Sequence, residues 1–167
     1  MDFLIKINLS NFMKEYYGKV VEVVSSPIIV NKRGEILLIK SHKWGDKYLI
    51  PGGHIEIKET IFETAEREGE EETGLKIKPL YCVNMGELIF SPDFHRKAHL
   101  IYFHIVCEAL SEDVRLDDVE VNEFIWIEPK NVLSQNLVLA DGIKKSMENL
   151  INGVKFDIDT FNFNKHP

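Results

Sequence analysis

The sequence predicts an α/β fold, on three observations. Short runs of isoleucine, leucine and valine recur between turn signals, as Ile28-Ile29-Val30 and Ile36-Leu37-Leu38-Ile39 do around Asn31-Lys32-Arg33-Gly34. One long polar segment, Thr60 to Glu72, interrupts them with residues spaced for a helix. A second helical stripe follows the strand-like runs, made of Ile143, Met147, Leu150 and Ile151. With 167 residues, 44% hydrophobic and 28% charged, the chain has the composition of one ordinary domain with a real core.

In chain order, Val20 to Val24 and Pro27 to Lys40 read as strands, the second folded at Asn31 to Gly34 into a first hairpin. Lys43 to Lys47 is a polar loop and Tyr48 to Ile50 a short strand. In the turn Pro51-Gly52-Gly53, glycine lets the backbone come close to a ligand. The first helix runs from about Thr60 to Glu72, and Gly74 suits the left-handed position beyond its end. Ile77 to Leu88 and His99 to Ala109 read as strands around the polar loop Phe90 to Lys97, long enough to be functional. Glu123 to Ile127 is the last core strand. It leads through Pro129 to a helix at about Ala140 to Asn152, ended by Gly153, whose apolar stripe reads as core.

Both ends carry more. Phe3, Ile5, Ile7 and Leu9 alternate with period two, as do Val154, Phe156 and Ile158, and Phe161 and Phe163 continue out of phase. Each segment is expected as an added edge strand, either covering the domain's own sheet or forming a homodimer contact. The expected organisation is an N-terminal extension at 1–19, one domain at 20–152 and a C-terminal extension at 153–167.

The net charge of −7 argues against a nucleic-acid partner, which would need a basic stripe to displace counterions. A small anionic substrate fits if a cation neutralises it. Cys82 and Cys107 lie in apolar runs without metal-ligand spacing and are expected as buried thiols in a reducing compartment. Asp2, Lys6 and Lys14 interrupt any leader, and no apolar run is long enough to span a bilayer. No membrane partner is expected, and the expected location is the cytoplasm.

The chemistry concentrates between Gly53 and Leu75. Glu68, Glu71 and Glu72 fall at i, i+3 and i+4, so three carboxylates share one helical face. Like charges there repel, and a hard divalent cation such as Mg²⁺ or Mn²⁺ offsets that while leaving room for a substrate phosphate. The bland alternative is a solvated acidic helix. Gly53, Glu59, Arg67, Glu68, Glu71, Glu72, Gly74 and Leu75, with the lead-in Tyr48-Leu49-Ile50-Pro51-Gly52-Gly53, resemble the Nudix box, and the resemblance covers roughly Val20 to Asn152.

That resemblance implies an α/β/α sandwich with a mixed sheet and a loop-helix-loop at the box. It also implies metal-dependent hydrolysis of a phosphoanhydride in a small nucleotide: a nucleoside diphosphate linked to another moiety, or a nucleoside triphosphate. The other class is a non-catalytic domain that binds or senses a nucleotide. By resemblance Glu68, Glu71, Glu72 and the Gly53 carbonyl hold the metal, and Glu59 braces Arg67. Glu63, one turn before Arg67, is the alternative partner. The general base is Glu68 or a remote carboxylate, for which Glu120 is the candidate because Glu120, Glu123 and Trp126 match a spacing frequent downstream of the box. The one departure is Gly69, where the family carries a bulky aliphatic residue. The space left there is expected to be open.

Substrate contacts are less legible. Lys40, His42, Lys43, Arg96 or Lys97 could meet phosphate, and Trp44, Phe90 or Phe94 could stack on a base or sugar, although each also suits ordinary surface or core. Pro92 lies close to where ADP-ribose hydrolases of this family carry a proline, and turn formation explains it equally well.

Overall fold

The protein is described here from a computed structural model, in residues 16–116 and 121–161. Its strands are β1 (Val21–Val30), β2 (Ile36–Ser41), β3 (Lys47–Leu49), β4 (Gly53–His54), β5 (Ile77–Ile89), β6 (His99–Ala109) and β7 (Val121–Ile127). Its helices are α1 (Ile61–Thr73), α2 (Pro129–Ser134) and α3 (Ile143–Ile151). The sheet runs β3-β2-β1-β6-β5, with β4 beside β1 and β7 beside β2. β1 and β6 are parallel from Val21↔His99 to Val30↔Glu108, while β5–β6 and β2–β7 are antiparallel, so the sheet is mixed.

Apolar runs without alternation mark strands buried on both faces. On one face Ile28, Ile36, Leu38, Val83 and Val106 pack with Val132, Ile143 and Met147 of α2 and α3. On the other, Ile29, Leu37, Ile39, Cys82, Ile105 and Cys107 pack with Ala65 of α1. The result is the α/β/α sandwich the resemblance implies. Both cysteines are free and buried. Among the described residues no helix is long and apolar enough to cross a membrane.

Several boundaries differ from expectation. Val20 to Val24 and the run from Pro27 are one continuous strand, because the long ladder with β6 carries β1 through Ser25-Ser26-Pro27. β1 and β2 share only Val30↔Ile36 before they part, and β4 then takes the place beside β1 at Val24↔His54 and Ser25↔Gly53. The last helix begins at Ile143 rather than Ala140, and Pro129 opens the short helix α2. Beyond α3, the C-terminal segment is no edge strand among its described residues. It makes a single bridge, Cys82↔Phe156, with Phe156 and Ile158 covering the domain's own core. Phe3, Ile5, Ile7, Leu9 and Phe163 lie outside the described residues.

Helix α1 begins on a capping box, in which Thr60 Oγ1 accepts from the Glu63 N–H at 3.2 Å and the Glu63 carboxylate accepts from the Thr60 N–H at 2.9 Å. It ends at Gly74, left-handed at φ 69°. Gly69 is buried, and its expected open space is filled. A Cβ there would lie 2.5 Å from Ile77 Cδ1 and 3.2 Å from Pro27 Cγ. Side chains of β1 and β5 supply the bulk that the helix omits.

Candidate active site

The departure of β2 from β1 leaves room for the turn 51–54, and α1 lies against it. Glycine at 53 has a steric reason, since a Cβ there would overlap the Glu68 carboxylate. Likewise a Cβ at Gly52 would overlap the Ser26 side chain. The Gly52 N–H donates to Glu72 Oε2 at 3.1 Å, fixing the turn to the helix.

Arg67 ties these parts together. Its Nε and Nη2 donate to the two oxygens of Glu59 at 2.8 and 3.0 Å, Nη2 also reaches the His54 carbonyl at 3.0 Å, and Nη1 reaches Glu68 at 2.6 Å and Glu71 at 3.2 Å. Glu63 is absent from that set because the capping box occupies it. Glu59 accepts further hydrogen bonds from Thr64 Oγ1 at 2.8 Å and the Glu56 N–H at 3.2 Å. The Arg67 guanidinium holds the Glu59 carboxyl at a pKa of about 2, and Glu59 in turn raises that of Arg67. Burial pushes Glu68 up, against the opposing pull of Arg67.

Glu68, Glu71 and Glu72 thus share one side of α1, with Glu71 well exposed at 61% and Glu68 at 13%. Among the described residues no three acidic, histidine or cysteine side chains converge closely enough to enclose an ion. Arg67 engages two of the three carboxylates, Glu68 and Glu71, and the Gly52 N–H engages the third, Glu72. Their oxygen chemistry, and a turn kept free of a Cβ beside Glu68, nevertheless suit a hard divalent cation.

A pocket adjoins this corner. Gly52, Gly53, His54 and Glu72 line one end, Trp44 and Phe94 an aromatic wall, and Tyr102, His104 and Asp141 a polar part. Trp44 and Phe94 have ring centroids 4.7 Å apart at 41°. Loop 90–97 forms this wall because it is held at several points. Lys47 pairs with Asp93, the His95 N–H donates to the Lys43 carbonyl at 2.9 Å, and Ser91 Oγ donates to Asp141 at 2.7 Å.

Of the substrate candidates read from sequence, Trp44, Phe94 and Lys43 line the pocket, whereas Lys40, His42 and Arg96 do not. Lys40 pairs with Glu123 at 2.8 Å and His42 with Asp46 at 2.8 Å. Arg96 grips Glu22 at 2.7 and 2.6 Å and stacks on Tyr17 at 3.7 Å, so it anchors the loop. Glu120 lies outside the described residues. The sequence reading missed Ser26, Tyr102, His104 and Asp141. The one available signal was Tyr102 and His104 two apart in an otherwise apolar strand, hence on one face. His104 stays neutral, burial pushing its pKa down to about 3, and its Nδ1 lies 2.6 Å from Ser146 Oγ.

The sheet order, the box helix and the carboxylate-lined turn define a hydrolase of the Nudix class, and residues 21–150 match the family described as "NUDIX domain". The chain belongs to the Nudix family. It is 29% identical over 143 residues to an ADP-ribose pyrophosphatase of Methanocaldococcus jannaschii, covering 81% of this chain and 82% of that protein. A MutT4 protein of Mycobacterium tuberculosis is 33% identical over 67% of this chain, which spans only 40% of that relative's length. A Nudix hydrolase structure from Nitrosomonas europaea shares the fold at TM-score 0.71 and 17% identity, covering 86% of this chain and 99% of that one.

Proposed function

We propose that this protein hydrolyses a phosphoanhydride bond in a nucleoside diphosphate linked to another moiety or in a nucleoside triphosphate, with Mg²⁺ or Mn²⁺. The observation that carries the reading is the joining of two features in one cavity. The carboxylate-lined turn Gly52-Gly53 with Glu72 opens into a pocket walled by Trp44 and Phe94. A charged phosphate chain and an attached flat apolar group need that pairing.

Phosphate oxygens repel an attacking water. A divalent ion bound here supplies charge neutralisation, a more acidic water and a stabilised leaving phosphate. Glu68, Glu71, Glu72 and the Gly53 backbone would hold it. Arg67, fixed through Glu59, keeps Glu68 and Glu71 on the side of α1 that faces the turn. Glu68 takes the proton of the attacking water on its carboxylate, with Glu120 as the rival base. Trp44 and Phe94 hold the base or sugar by stacking and exclude water from it.

In the same reading residues 20–152 form the catalytic unit, with 1–19 and 153–167 as extensions that could join two copies. The protein works in the cytoplasm on small nucleotides rather than nucleic acid. The deciding experiment incubates the protein with a panel of nucleoside triphosphates, ADP-ribose and nucleotide sugars in Mg²⁺ and reads released phosphate products. Cleavage of at least one is the expected result; because Glu68 would also hold the metal, E68Q loses activity under either assignment, and E120Q decides the base, keeping cleavage if Glu68 is the base and losing it if Glu120 is. No cleavage of any would leave a binding domain instead.

A further inference from the structure

Glu22 carries a carboxylate at the end of a strand face that is otherwise part of the pocket. Alternate residues of a strand share a face, so Glu22 follows Val24 and Ser26 of β1, both of which line the pocket. Its side chain is only 9% exposed. A carboxylate so enclosed requires partners, and two separate segments supply them. Arg96 of loop 90–97 donates to both oxygens at 2.7 and 2.6 Å, and His54 Nε2, beside the turn glycine Gly53, lies 2.6 Å from Oε2. Arg96 in turn lies 5.1 Å from the ring centre of Phe94, and the His54 carbonyl accepts from Arg67 at 3.0 Å. One carboxylate thus joins the segment that carries the aromatic wall to the segment that carries the box turn. Each segment has a hydrogen-bonded amide next to the join: the His95 N–H donates to the Lys43 carbonyl at 2.9 Å, and the Ile55 N–H to the Val23 carbonyl at 3.1 Å.

We propose that Glu22 is a positioning residue, which holds the Phe94 wall and the turn 51–54 in register so that the flat group and the phosphate chain of one substrate reach their places together. This role rests on the reading that the wall takes the base or sugar and the turn the phosphate chain. Glu22 lies outside the pocket lining and acts through Arg96 and His54. Two parallel N–H···O bonds fix the plane and direction of the guanidinium, and the backbone at 94–96 follows it. A merely structural ion pair predicts a loss of stability when it is broken and nothing specific to the substrate. Registration predicts more, because a misplacement of about 1 Å between reacting parts costs on the order of 10²-fold in rate.

Amide exchange of the ligand-free protein, followed by NMR, tests the join without any substrate. E22Q keeps the size of the side chain and removes the charge that both segments share. Hydrogen bonds to a charged group are worth roughly tenfold or more, so exchange at the His95 and Ile55 amides should rise together by about that factor while the amides of β2 stay unchanged. R96K keeps the positive charge but loses the fork, and it should raise exchange at Ile55 as well, although Arg96 belongs to the other segment. On a nucleotide that the protein cleaves, E22Q should lower kcat/KM about tenfold or more. In an F94A background that further loss should shrink, since no wall is left to position. Unchanged exchange at Ile55 in R96K, no loss of kcat/KM in E22Q, or a loss fully additive with F94A would overturn the assignment. If no nucleotide is cleaved, the proposed reaction falls, and exchange at Ile55 and His95 still decides the join by itself.

Discussion

Both carboxylate oxygens of Glu59 accept hydrogen bonds from the guanidinium of Arg67, at 2.8 and 3.0 Å, across the join between the turn segment and α1. A planar fork meets a planar acceptor, which an ammonium cannot reproduce. The pair positions the carboxylates of the box, because the same guanidinium also reaches Glu68, Glu71 and the His54 carbonyl.

Acid stability should report on this pair. The Glu59 carboxyl has a pKa of about 2 in the folded protein, against an ordinary value of 4.5. A carboxyl depressed on folding stabilises the fold fully above its unfolded pKa, and that contribution disappears as pH falls through the folded one. Urea midpoints of the wild type should therefore drop between about pH 4.5 and 2. In E59Q the protein should be less stable at neutral pH, and its decline over that window should be shallower, though Glu35 and Glu123, also depressed by their partners, keep some slope. Parallel pH profiles for the two proteins would show that Glu59 carries no such linkage.

Gly69→Ala should destabilise the protein despite the better helix propensity of alanine. Overpacking typically costs about 1 to 3 kcal/mol, more than the roughly 1 kcal/mol that alanine gains over glycine in a helix. The added methyl meets Ile77 Cδ1 and the stiff ring of Pro27. Ile77→Val removes the first of these atoms, so the penalty of Gly69→Ala should shrink in that background. Chemical denaturation of the four proteins of this cycle measures the coupling, and a raised midpoint for Gly69→Ala alone would contradict the packing.

Catalysis should require a divalent cation, and excess chelator should abolish turnover reversibly. Glu71→Gln and Glu72→Gln should each lower kcat by several orders of magnitude while thermal unfolding stays near wild type. Glutamine at 72 still offers an oxygen to the Gly52 N–H, which supports the turn. Retention of more than about a tenth of the wild-type rate, a loss of under ~1.4 kcal/mol, would remove that residue from the principal ligands.

Ser146→Ala should cost about 1 to 3 kcal/mol, the price of leaving buried polar atoms unpaired. Ser146 Oγ lies 2.6 Å from His104 Nδ1, accepts from Asn84 Nδ2 at 3.0 Å and donates to the Gly142 carbonyl at 3.1 Å. Equilibrium unfolding in urea checks this, and a change below about 0.5 kcal/mol would mean the cluster rearranges freely.

The sequence alone determined the family, the α/β class and the acidic face of α1, because each rests on local rules. Helical spacing fixes which glutamates are neighbours, and apolar runs fix which strands are buried. Capping was equally local, though Thr60 and Glu63 went unread as a box, which left Glu63 as a rival partner for Arg67. Only the tertiary structure decided the rest. Whether Gly69 faces a void depended on Pro27 and Ile77, which are distant in sequence and close only because β1 and β5 both flank β6. The pocket was hidden for the same reason, since Trp44, Phe94, Tyr102 and Asp141 come from four separate segments. Lys40, His42 and Arg96 looked available as phosphate contacts because sequence shows a cation but not its partner. Folding brought Glu123 and Glu22 to two of them from far along the chain, and long-range ion pairing leaves no periodic trace by which it could have been foreseen.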